Sequence, residues 1–140
     1  MEQIKKRTAW LKRVDGLWKK TNIIWLHGVR RVGKTCLARS IPGIEYFDCE
    51  LPRVRRLFDD AEEFFKELRN KKVVIDEVHR LDNPSEVLKI AADYFPRTKI
   101  IATGSSTLGT SIKFKDTLTG RKKDLWLLPM TWDDLKDFNQ

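Results

Sequence analysis

The sequence has few of the residues that build disulfide frameworks or metal sites. Its 140 residues include two cysteines, Cys36 and Cys49, and two histidines, His27 and His79. The cysteines form no framework of pairs, and neither the cysteines nor the histidines have the spacing of metal ligands. We therefore expect two reduced, buried thiols and two histidines with structural roles, with a switch or relay role as the alternative for His79.

Long hydrophobic runs, internal repeats and low-complexity segments are also missing. No stretch of about 18 apolar residues exists, which argues against a transmembrane helix, and the basic N-terminus lacks the apolar core of a signal peptide. The composition, 41% hydrophobic and 34% charged, is that of a globular chain rather than a disordered one. The length indicates one domain. These absences predict a cytoplasmic protein with no membrane span.

Acidic residues are outnumbered by basic ones. The chain has 28 Lys and Arg against 20 Asp and Glu, for a formal net charge of +8. A net positive charge is typical of proteins that bind nucleic acid, an anionic membrane surface or a phosphorylated ligand. Part of the excess lies around residues 28–35, a segment suited to phosphate, so nucleic acid is one alternative among the partners.

The first segment, residues 1–20, is predicted to form an amphipathic helix over residues 2–19. At about 100° per residue, one arc carries the apolar side chains Ile4, Trp10, Leu11, Val14, Leu17 and Trp18. The lysines and arginines lie mostly opposite. Such a helix could rest on a membrane surface, but a chain this short needs the apolar face for its core. We therefore expect the helix to pack against residues 21–140.

Strand and helix patterns alternate along the rest of the chain. Short apolar runs predict strands at residues 22–27, 44–48, 72–76, 98–103 and 125–128. Apolar spacing and capping residues predict helices at residues 34–40, 53–69, 84–94 and from Thr131 onward. Asn83 as N-cap and Pro84 at the first helical position mark the start of one of these helices. The alternation predicts an α/β fold with a mainly parallel sheet covered by helices on both faces.

A phosphate-binding loop is predicted at residues 28–35, where Gly-Val-Arg-Arg-Val-Gly-Lys-Thr matches G-x-x-x-x-G-K-[ST] between a strand and a helix. The two glycines let the backbone turn its N–H groups toward phosphate oxygens. Lys34 reaches the β- and γ-phosphates, and the Thr35 hydroxyl suits Mg²⁺. A solvated position is an equal alternative for Arg30 and Arg31. The predicted nucleotide contacts are Gly28, Val29, Arg30, Arg31, Val32, Gly33, Lys34, Thr35 and Cys36.

Two adjacent carboxylates, Asp76 and Glu77, end the apolar strand predicted at residues 72–76. Ligands of parallel sheets gather at the carboxyl ends of the strands, so both side chains are expected beside the phosphate loop. Asp76 would hold Mg²⁺ directly or through water. Glu77 would polarise the attacking water as a general base, which argues against a small-molecule kinase. The predicted cofactors are ATP and Mg²⁺, and the predicted reaction is hydrolysis of ATP to ADP and phosphate.

Five motifs follow one another in order along the chain. They lie at residues 28–35, 75–79 (Ile-Asp-Glu-Val-His), 103–106 (Thr-Gly-Ser-Ser), 118–121 (Leu-Thr-Gly-Arg) and 128–130 (Leu-Pro-Met). In this the chain resembles the prokaryotic AAA-type P-loop ATPases whose ATPase core precedes a separate C-terminal domain. The resemblance covers about residues 10–138, and the last three motifs are the ones that point to this group. It implies the three-layer α/β/α sandwich of P-loop NTPases, with an AAA-type ATP-binding core over residues 21–140.

The resemblance also implies two further catalytic residues beside Glu77 and Lys34. Ser105 matches the polar sensor that reads the γ-phosphate and orients water. Its near alternatives are Ser106 and Thr103, and a simple Ser-Gly turn is the plain reading. Arg121 matches an arginine that such proteins retain near the last strand, and could be an arginine finger in cis or toward a neighbour. A solvated surface position is an equal alternative for Arg121.

The chain departs from the family pattern near its end, because it stops at Gln140, where the C-terminal domain would begin. We therefore expect the helical lid and the partner-binding domain to be absent and turnover to be weak. One alternative function is an ATP-binding switch or truncated remnant that hydrolyses little. Another is a nucleic-acid-binding ATPase that uses the N-terminal basic face with Arg53, Arg55 and Arg56. A protein client and self-association are the remaining alternatives for partners.

Overall fold

The structure is a computed structural model that describes residues 11–27 and 41–126. Three sets of expectations lie outside the described residues. They concern the phosphate loop and the helix that follows it (residues 28–40), the first part of the N-terminal helix (residues 2–10), and the segment from residue 127 to residue 140, which includes the helix expected at Thr131.

The described elements alternate between strands and helices. In chain order they are α1 (residues 11–18), β1 (Ile23–His27), β2 (Glu45–Asp48), α2 (Pro52–Leu57), a 3-10 turn (Phe58–Asp60), α3 (Ala61–Lys66), β3 (Lys72–Asp76), a second 3-10 turn (Val78–Arg80), α4 (Pro84–Tyr94), β4 (Lys99–Ala102), α5 (Ser106–Thr110), α6 (Ile112–Leu118) and β5 (Lys122–Trp126). The predicted α/β organisation is confirmed.

The strands form one five-stranded parallel sheet in the order β2-β3-β4-β1-β5. Ala102 of β4 is level with Ile75 of β3 on one side and with Trp25 of β1 on the other. Because all strands run the same way, the carboxyl ends of β1, β3 and β4 lie at one edge of the sheet. This topology confirms the prediction of a P-loop NTPase sheet.

The sheet is covered on both faces, which explains why its inner strands are apolar throughout. Strand residues on one face pack against α2, α3, α4 and α6; they are Ile23, Trp25, Val73, Ile75, Ile100 and Ala102. Strand residues on the other face pack against α1 and Ile41; they are Ile24, Leu26, Val74, Ile101 and Leu125. From α1, Val14 and Trp18 enter this second core with 1% and 3% of their surfaces exposed. The apolar face of residues 11–18 is therefore part of the core.

Asn22 ties the amino edge of the sheet to the end of α4. Its buried side-chain amide donates hydrogen bonds to the carbonyl oxygens of Ala91, Phe95 and Thr98, each at 3.1 Å. The last carbonyls of a helix have no partner within the helix. The Ala91 carbonyl accepts the Phe95 N–H just past the helix at 3.1 Å, and the amide is an additional donor that holds the carboxyl end of α4 beside β1.

Two boundaries differ from those predicted. The single helix expected over residues 53–69 is broken, because the Asp60 side chain accepts a hydrogen bond from the Glu63 N–H at 3.1 Å and caps a new helix, α3. Acidic side chains compete in this way with the helical backbone. The last strand begins at Lys122 and not at residue 125. Its first residues are polar because β5 pairs with β1 alone among the described strands.

The short helices α5 and α6 carry no strong apolar periodicity and were not anticipated. Each begins at a serine whose hydroxyl oxygen accepts a backbone N–H: Ser105 from Leu108 and Ser111 from Phe114, both at 3.2 Å. Serine at a helix N-cap is the signal that could have located them. Among the helices of the described residues, none is long and apolar enough to cross a membrane.

Candidate functional site

Three of the predicted site residues lie at the carboxyl edge of the sheet. Asp76 is the last residue of β3, Glu77 follows it, and Ser105 follows β4. Strand β1 ends at His27 on the same edge, directly before Gly28. One strand, β4, separates β1 from β3, which places their ends about 10 Å apart, given the usual spacing between strands. Residues 28–36 themselves, with Lys34 and Thr35, lie outside the described residues.

Asp76 is a fully buried carboxylate held from two sides. One oxygen accepts a hydrogen bond from the Thr103 hydroxyl and the other accepts one from the Tyr46 hydroxyl. Its carbonyl oxygen accepts the Cys49 N–H at 2.9 Å. Tyr46, on the edge strand β2, was not among the predicted site residues, and no motif marks it. These bonds fix the orientation of the carboxylate at the strand end.

Thr103 connects the ends of β3 and β4. Only 1% of its surface is exposed. Its hydroxyl oxygen accepts the Glu77 N–H at 3.0 Å, and its hydroxyl group donates a hydrogen bond to the Asp76 carboxylate. Its carbonyl accepts the Val78 N–H at 2.8 Å. Of the hydroxyls considered for the sensor position, that of Thr103 is thus occupied in supporting both acidic residues.

Glu77 has a left-handed backbone conformation, with φ 60° and ψ 46°. A side chain with a Cβ pays about 1–2 kcal/mol for this conformation. The hydrogen bond from its N–H to Thr103 and the 3-10 turn that follows at Val78–Arg80 hold it there. Strain of this kind is concentrated at functional sites. The Glu77 side chain is 17% exposed, so part of it is open to solvent.

His79 contacts Glu77 and the loop after β4. Its Nδ1 accepts the Ser105 N–H at 3.0 Å, and its Nε2 lies 3.3 Å from Oε2 of Glu77. A ring nitrogen that accepts a hydrogen bond carries no proton, so the proton of the neutral ring is on Nε2, the nitrogen that lies beside the carboxylate. The sequence predicted a structural role for His79, with a switch or relay role as the alternative, and could not reveal this contact, which depends on the fold.

The loop between β4 and α5 is closely packed. A Cβ built on Gly104 would lie 2.7 Å from the Trp25 ring and 3.3 Å from Val78, so glycine is required there. Ser105 caps α5 with its hydroxyl oxygen, which leaves its hydroxyl proton to donate. Ser106 is the first residue of α5. Ser105 is therefore connected to Glu77 through His79.

Arg121 is not brought to this edge. It directly precedes β5, whose first residue Lys122 is level with Ile23 at the start of β1. Its guanidinium pairs with Asp93, with Nε 2.9 Å from Oδ1, and donates to the Thr117 carbonyl at 2.7 Å. The length of a five-residue strand, about 13 Å, separates this edge from the acidic pair. Three possibilities were open for Arg121: a finger in cis, a finger toward a neighbour, and a surface position. Within its own chain it binds Asp93 at this opposite edge, and the hydrogen bond lowers the pKa of that carboxyl.

The remaining histidine and one of the arginines have structural partners. His27 stacks on Trp126 with ring centroids 3.8 Å apart and lies 3.0 Å from Asp124. Arg55 donates to the carbonyls of Cys49 and Glu50 at 2.9 and 2.8 Å. Of the arginines considered for nucleic-acid binding, Arg55 therefore has its guanidinium hydrogen-bonded to the turn after β2.

Cys49 is a buried free thiol next to the acidic pair, as expected for one of the two cysteines. Burial raises the pKa of the thiol to about 12, and the negative charges of Asp76 and Asp48 add to the shift. It is therefore protonated at neutral pH and is neither a nucleophile nor a metal ligand. In the described residues, no group of three His, Cys, Asp or Glu is arranged to hold a metal ion without other ligands.

Comparison with known protein families shows to which family the chain belongs. A family described as "AAA domain" matches residues 20–136. The chain belongs to the AAA domain family. The match includes residues 28–40 as well as Asp76, Glu77 and the loop after β4, so the AAA domain spans the carboxyl edge described above. AAA domains are of the nucleotide-binding, ATPase type. A search of curated proteins found no match to this chain.

Proposed function

We propose that this AAA domain binds Mg·ATP at the carboxyl edge of its sheet and hydrolyses it to ADP and phosphate. The observation that supports the proposal is the placement of Asp76 and Glu77 at the edge where β1 leads into Gly28. Family membership supports nucleotide binding in general. The roles of the individual residues rest on the chemistry of their side chains.

The residues at this edge fit a magnesium ion. Mg²⁺ prefers hard oxygen ligands and is usually bound by one or two carboxylates together with phosphate oxygens and water. Asp76 offers such a carboxylate, held by the hydroxyls of Thr103 and Tyr46, and Thr35 offers a hydroxyl in the sequence motif. When bound, Mg²⁺ would neutralise charge on the phosphate oxygens.

The triphosphate would be held by residues 28–36. In this proposal the backbone N–H groups of Gly28, Val29, Arg30, Arg31, Val32, Gly33, Lys34, Thr35 and Cys36 face the phosphates. The Lys34 ammonium adds a positive charge at the β- and γ-phosphates, where charge develops as the bond to the leaving group breaks.

Glu77 would act as the general base. Its Oε2 faces Nε2 of His79, which leaves Oε1 to accept a proton from water as the water oxygen attacks the γ-phosphorus. The bond between that phosphorus and the bridging oxygen breaks, and ADP leaves. Ser105, whose oxygen accepts the Leu108 N–H, would donate its hydroxyl proton to the water or to a phosphate oxygen.

A slow, switch-like ATPase is the second candidate, and one observation favours it. Arg121 is paired with Asp93 at the opposite edge, so it adds no positive charge to its own site. An arginine finger contributes a large part of the rate in related phosphoryl transfers. In this candidate function, Arg121 acts as an arginine finger in the site of a neighbouring chain. Turnover per chain should then rise with protein concentration in the wild type but not in Arg121→Ala. A rate that is independent of concentration and equal in both proteins would remove Arg121 from the catalytic set.

The function is tested by nucleotide titration with and without Mg²⁺, together with phosphate release. The wild type should bind ATP more tightly with Mg²⁺ and release phosphate. Glu77→Gln should keep ATP affinity and lose turnover by roughly 10²-fold to 10⁴-fold, as expected for a general base. Lys34→Ala should weaken ATP binding itself. Glu86→Gln, on the exposed face of α4, is the matched control and should behave as the wild type. Absence of ATP binding, or Lys34→Ala binding as well as the wild type, would refute the proposal.

Phosphate release also separates the two candidate functions. If the wild type binds Mg·ATP but neither it nor Glu77→Gln releases phosphate, the domain is a binding switch. If only Glu77→Gln is inactive, the domain is an ATPase.

A further inference from the structure

The imidazole of His79 lies between the loop after β4 and the carboxylate of Glu77. Its Nδ1 accepts the Ser105 N–H at 3.0 Å, and its Nε2 faces Oε2 of Glu77 at 3.3 Å. The ring is 29% exposed at the side chain and Glu77 is 17% exposed. The contact with a backbone N–H selects one tautomer of the ring, in which the proton is on Nε2, the nitrogen beside Glu77.

We propose that His79 is a positioning residue that aims Glu77 at the attacking water and couples it to the loop that carries Ser105. The inference rests on the proposed ATPase function. It adds a residue to which neither the sequence motif nor family membership gives a role.

Glu77 requires such a partner because its side chain is long. A glutamate has three rotatable side-chain bonds, and ordering them costs conformational entropy. The contact of His79 Nε2 with Oε2 at 3.3 Å restricts them and leaves Oε1 as the oxygen that takes the proton. A general base is effective only when it lies within hydrogen-bond reach of the proton that it removes.

A neutral imidazole is also suited to this task electrically. A lysine or arginine paired with Glu77 would stabilise its ionised form and make it a weaker base. In the part of the chain that the structure describes, the basic side chain within 4 Å of the Glu77 carboxylate is the imidazole of His79 and not a lysine or arginine. The neutral N–H donor orients the carboxylate without a full positive charge beside it.

The second contact of the ring connects Glu77 to the neighbouring strand. The Ser105 N–H that His79 accepts belongs to the N-cap residue of α5, and Gly104 before it is fixed against Trp25. If this loop shifts when Ser105 contacts a phosphate, the His79 ring would move and the Glu77 carboxylate would move with it. The sensor position and the base would therefore respond to the nucleotide together.

Two substitutions separate the two contacts of the ring. His79→Asn places an amide oxygen near the position of Nδ1, where it can accept the Ser105 N–H, but it cannot reach Glu77. His79→Gln places an amide N–H near the position of Nε2, where it can donate to Glu77. We expect His79→Asn to keep the unfolding midpoint and the Kd for ATP of the wild type. Its kcat should fall roughly 10-fold to 100-fold, the range that is usual when a residue that orients a metal ligand is replaced. His79→Gln should recover part of the lost kcat.

A double-mutant cycle distinguishes positioning from a general structural role. In a Glu77→Gln background, His79→Asn should cause no further loss of the residual rate, because the group through which it acts is gone. Equal losses in both backgrounds, or a His79→Asn variant as active as the wild type, would overturn the inference while leaving the ATPase function intact. Should His79→Asn fail to fold, His79→Gln and His79→Ala decide: equal kcat in these two would overturn it. A wild type without ATPase activity would refute both the inference and the function on which it rests.

Discussion

The hydroxyl of Thr103 donates a hydrogen bond to the carboxylate of Asp76, across the ends of two neighbouring strands. The same oxygen accepts the N–H of Glu77 at 3.0 Å. One buried hydroxyl thus supports both acidic residues: the proposed metal ligand through its side chain and the proposed base through its backbone. The arrangement requires β4 to lie directly beside β3, as it does in this sheet.

Replacement of Thr103 by valine should affect stability and turnover together. Thr103→Val keeps the shape of the side chain but leaves the buried Glu77 N–H without an acceptor, which costs about 1–3 kcal/mol. Urea unfolding measures this loss, and phosphate release should show a lower kcat. The matched control is Thr98→Val, which removes another buried hydroxyl, bonded to the Leu68 carbonyl at 2.9 Å, before β4 at the amino edge. Thr98→Val should lose stability but keep kcat, and equal kcat in the two variants would contradict the role of Thr103.

Two glycines should respond to alanine in opposite directions. A Cβ at Gly104 would lie 2.7 Å from the Trp25 ring, and overpacking of this kind costs about 1–3 kcal/mol. Gly16, within α1, has nothing within 4 Å of the added carbon, and alanine in a helix interior gains roughly 0.5–1 kcal/mol over glycine. Thermal unfolding should therefore show a lower Tm for Gly104→Ala and a higher Tm for Gly16→Ala. Equal shifts in the two variants would contradict the tight packing at Gly104.

Loss of the Asn22 amide should destabilise the amino edge of the sheet. Asn22→Ala removes the amide donor to the carbonyls of Ala91, Phe95 and Thr98. The Ala91 and Phe95 carbonyls keep the N–H groups of Phe95 and Thr98, so the expected cost is that of lost hydrogen bonds, about 0.5–1.5 kcal/mol each. Asn83→Ala is the control, because Asn83 stands at the N-cap of α4 but its side chain makes no capping hydrogen bond. The urea midpoint should fall clearly for Asn22→Ala and little for Asn83→Ala. A reversed order would show that the N-cap and not Asn22 anchors α4.

Stability should decline in alkaline solution because of Cys49. The pKa of this thiol is raised from its ordinary value of 9.0 to about 12 in the folded chain. Above pH 9 the unfolded thiol ionises while the folded thiol stays protonated. The unfolded state then binds fewer protons than the folded state, so rising pH lowers the free energy of unfolding. The contribution of the thiol to stability is complete below pH 9 and is lost as pH rises toward 12.

The alkaline effect can be isolated by comparison with a variant. Lysines and tyrosines titrate in the same range, so the free energy of unfolding should be measured from pH 8 to pH 10 for the wild type and for Cys49→Ala. The difference between the two proteins should shrink as pH rises. Parallel curves would mean that the thiol titrates alike in both states.

Some elements could be predicted because the information for them is local. The strand at Lys72–Asp76 was predicted with its observed bounds, since Val73, Val74 and Ile75 form an apolar run that ends in two carboxylates. The helix at Pro84–Tyr94 was predicted from Asn83 and Pro84. Each signal lies within a few residues of the structure that it specifies. The break at Asp60 is local as well, but a single aspartate in an apolar helical pattern was too weak to reveal it.

The last strand and Arg121 could not be placed from local patterns. Lys122 and Lys123 have little strand propensity, and they belong to β5 because their backbones pair with Ile23 and Ile24. The earlier start of β5 places Arg121 at the amino edge, where Asp93 of α4 binds it. A backbone pairing between segments far apart in the sequence thus decided where Arg121 lies within its own chain.

By itself the sequence determined the motif of the phosphate loop, the acidic pair and the alternation of strands and helices, because residue type and short-range spacing are sufficient for each. Only the tertiary structure decided that Thr103 would bind Asp76, that His79 would join Glu77 to Ser105, and that Arg121 would lie elsewhere. The physical reason is that hydrogen bonds act over about 3 Å, and only the order of strands in the sheet brings such distant residues that close.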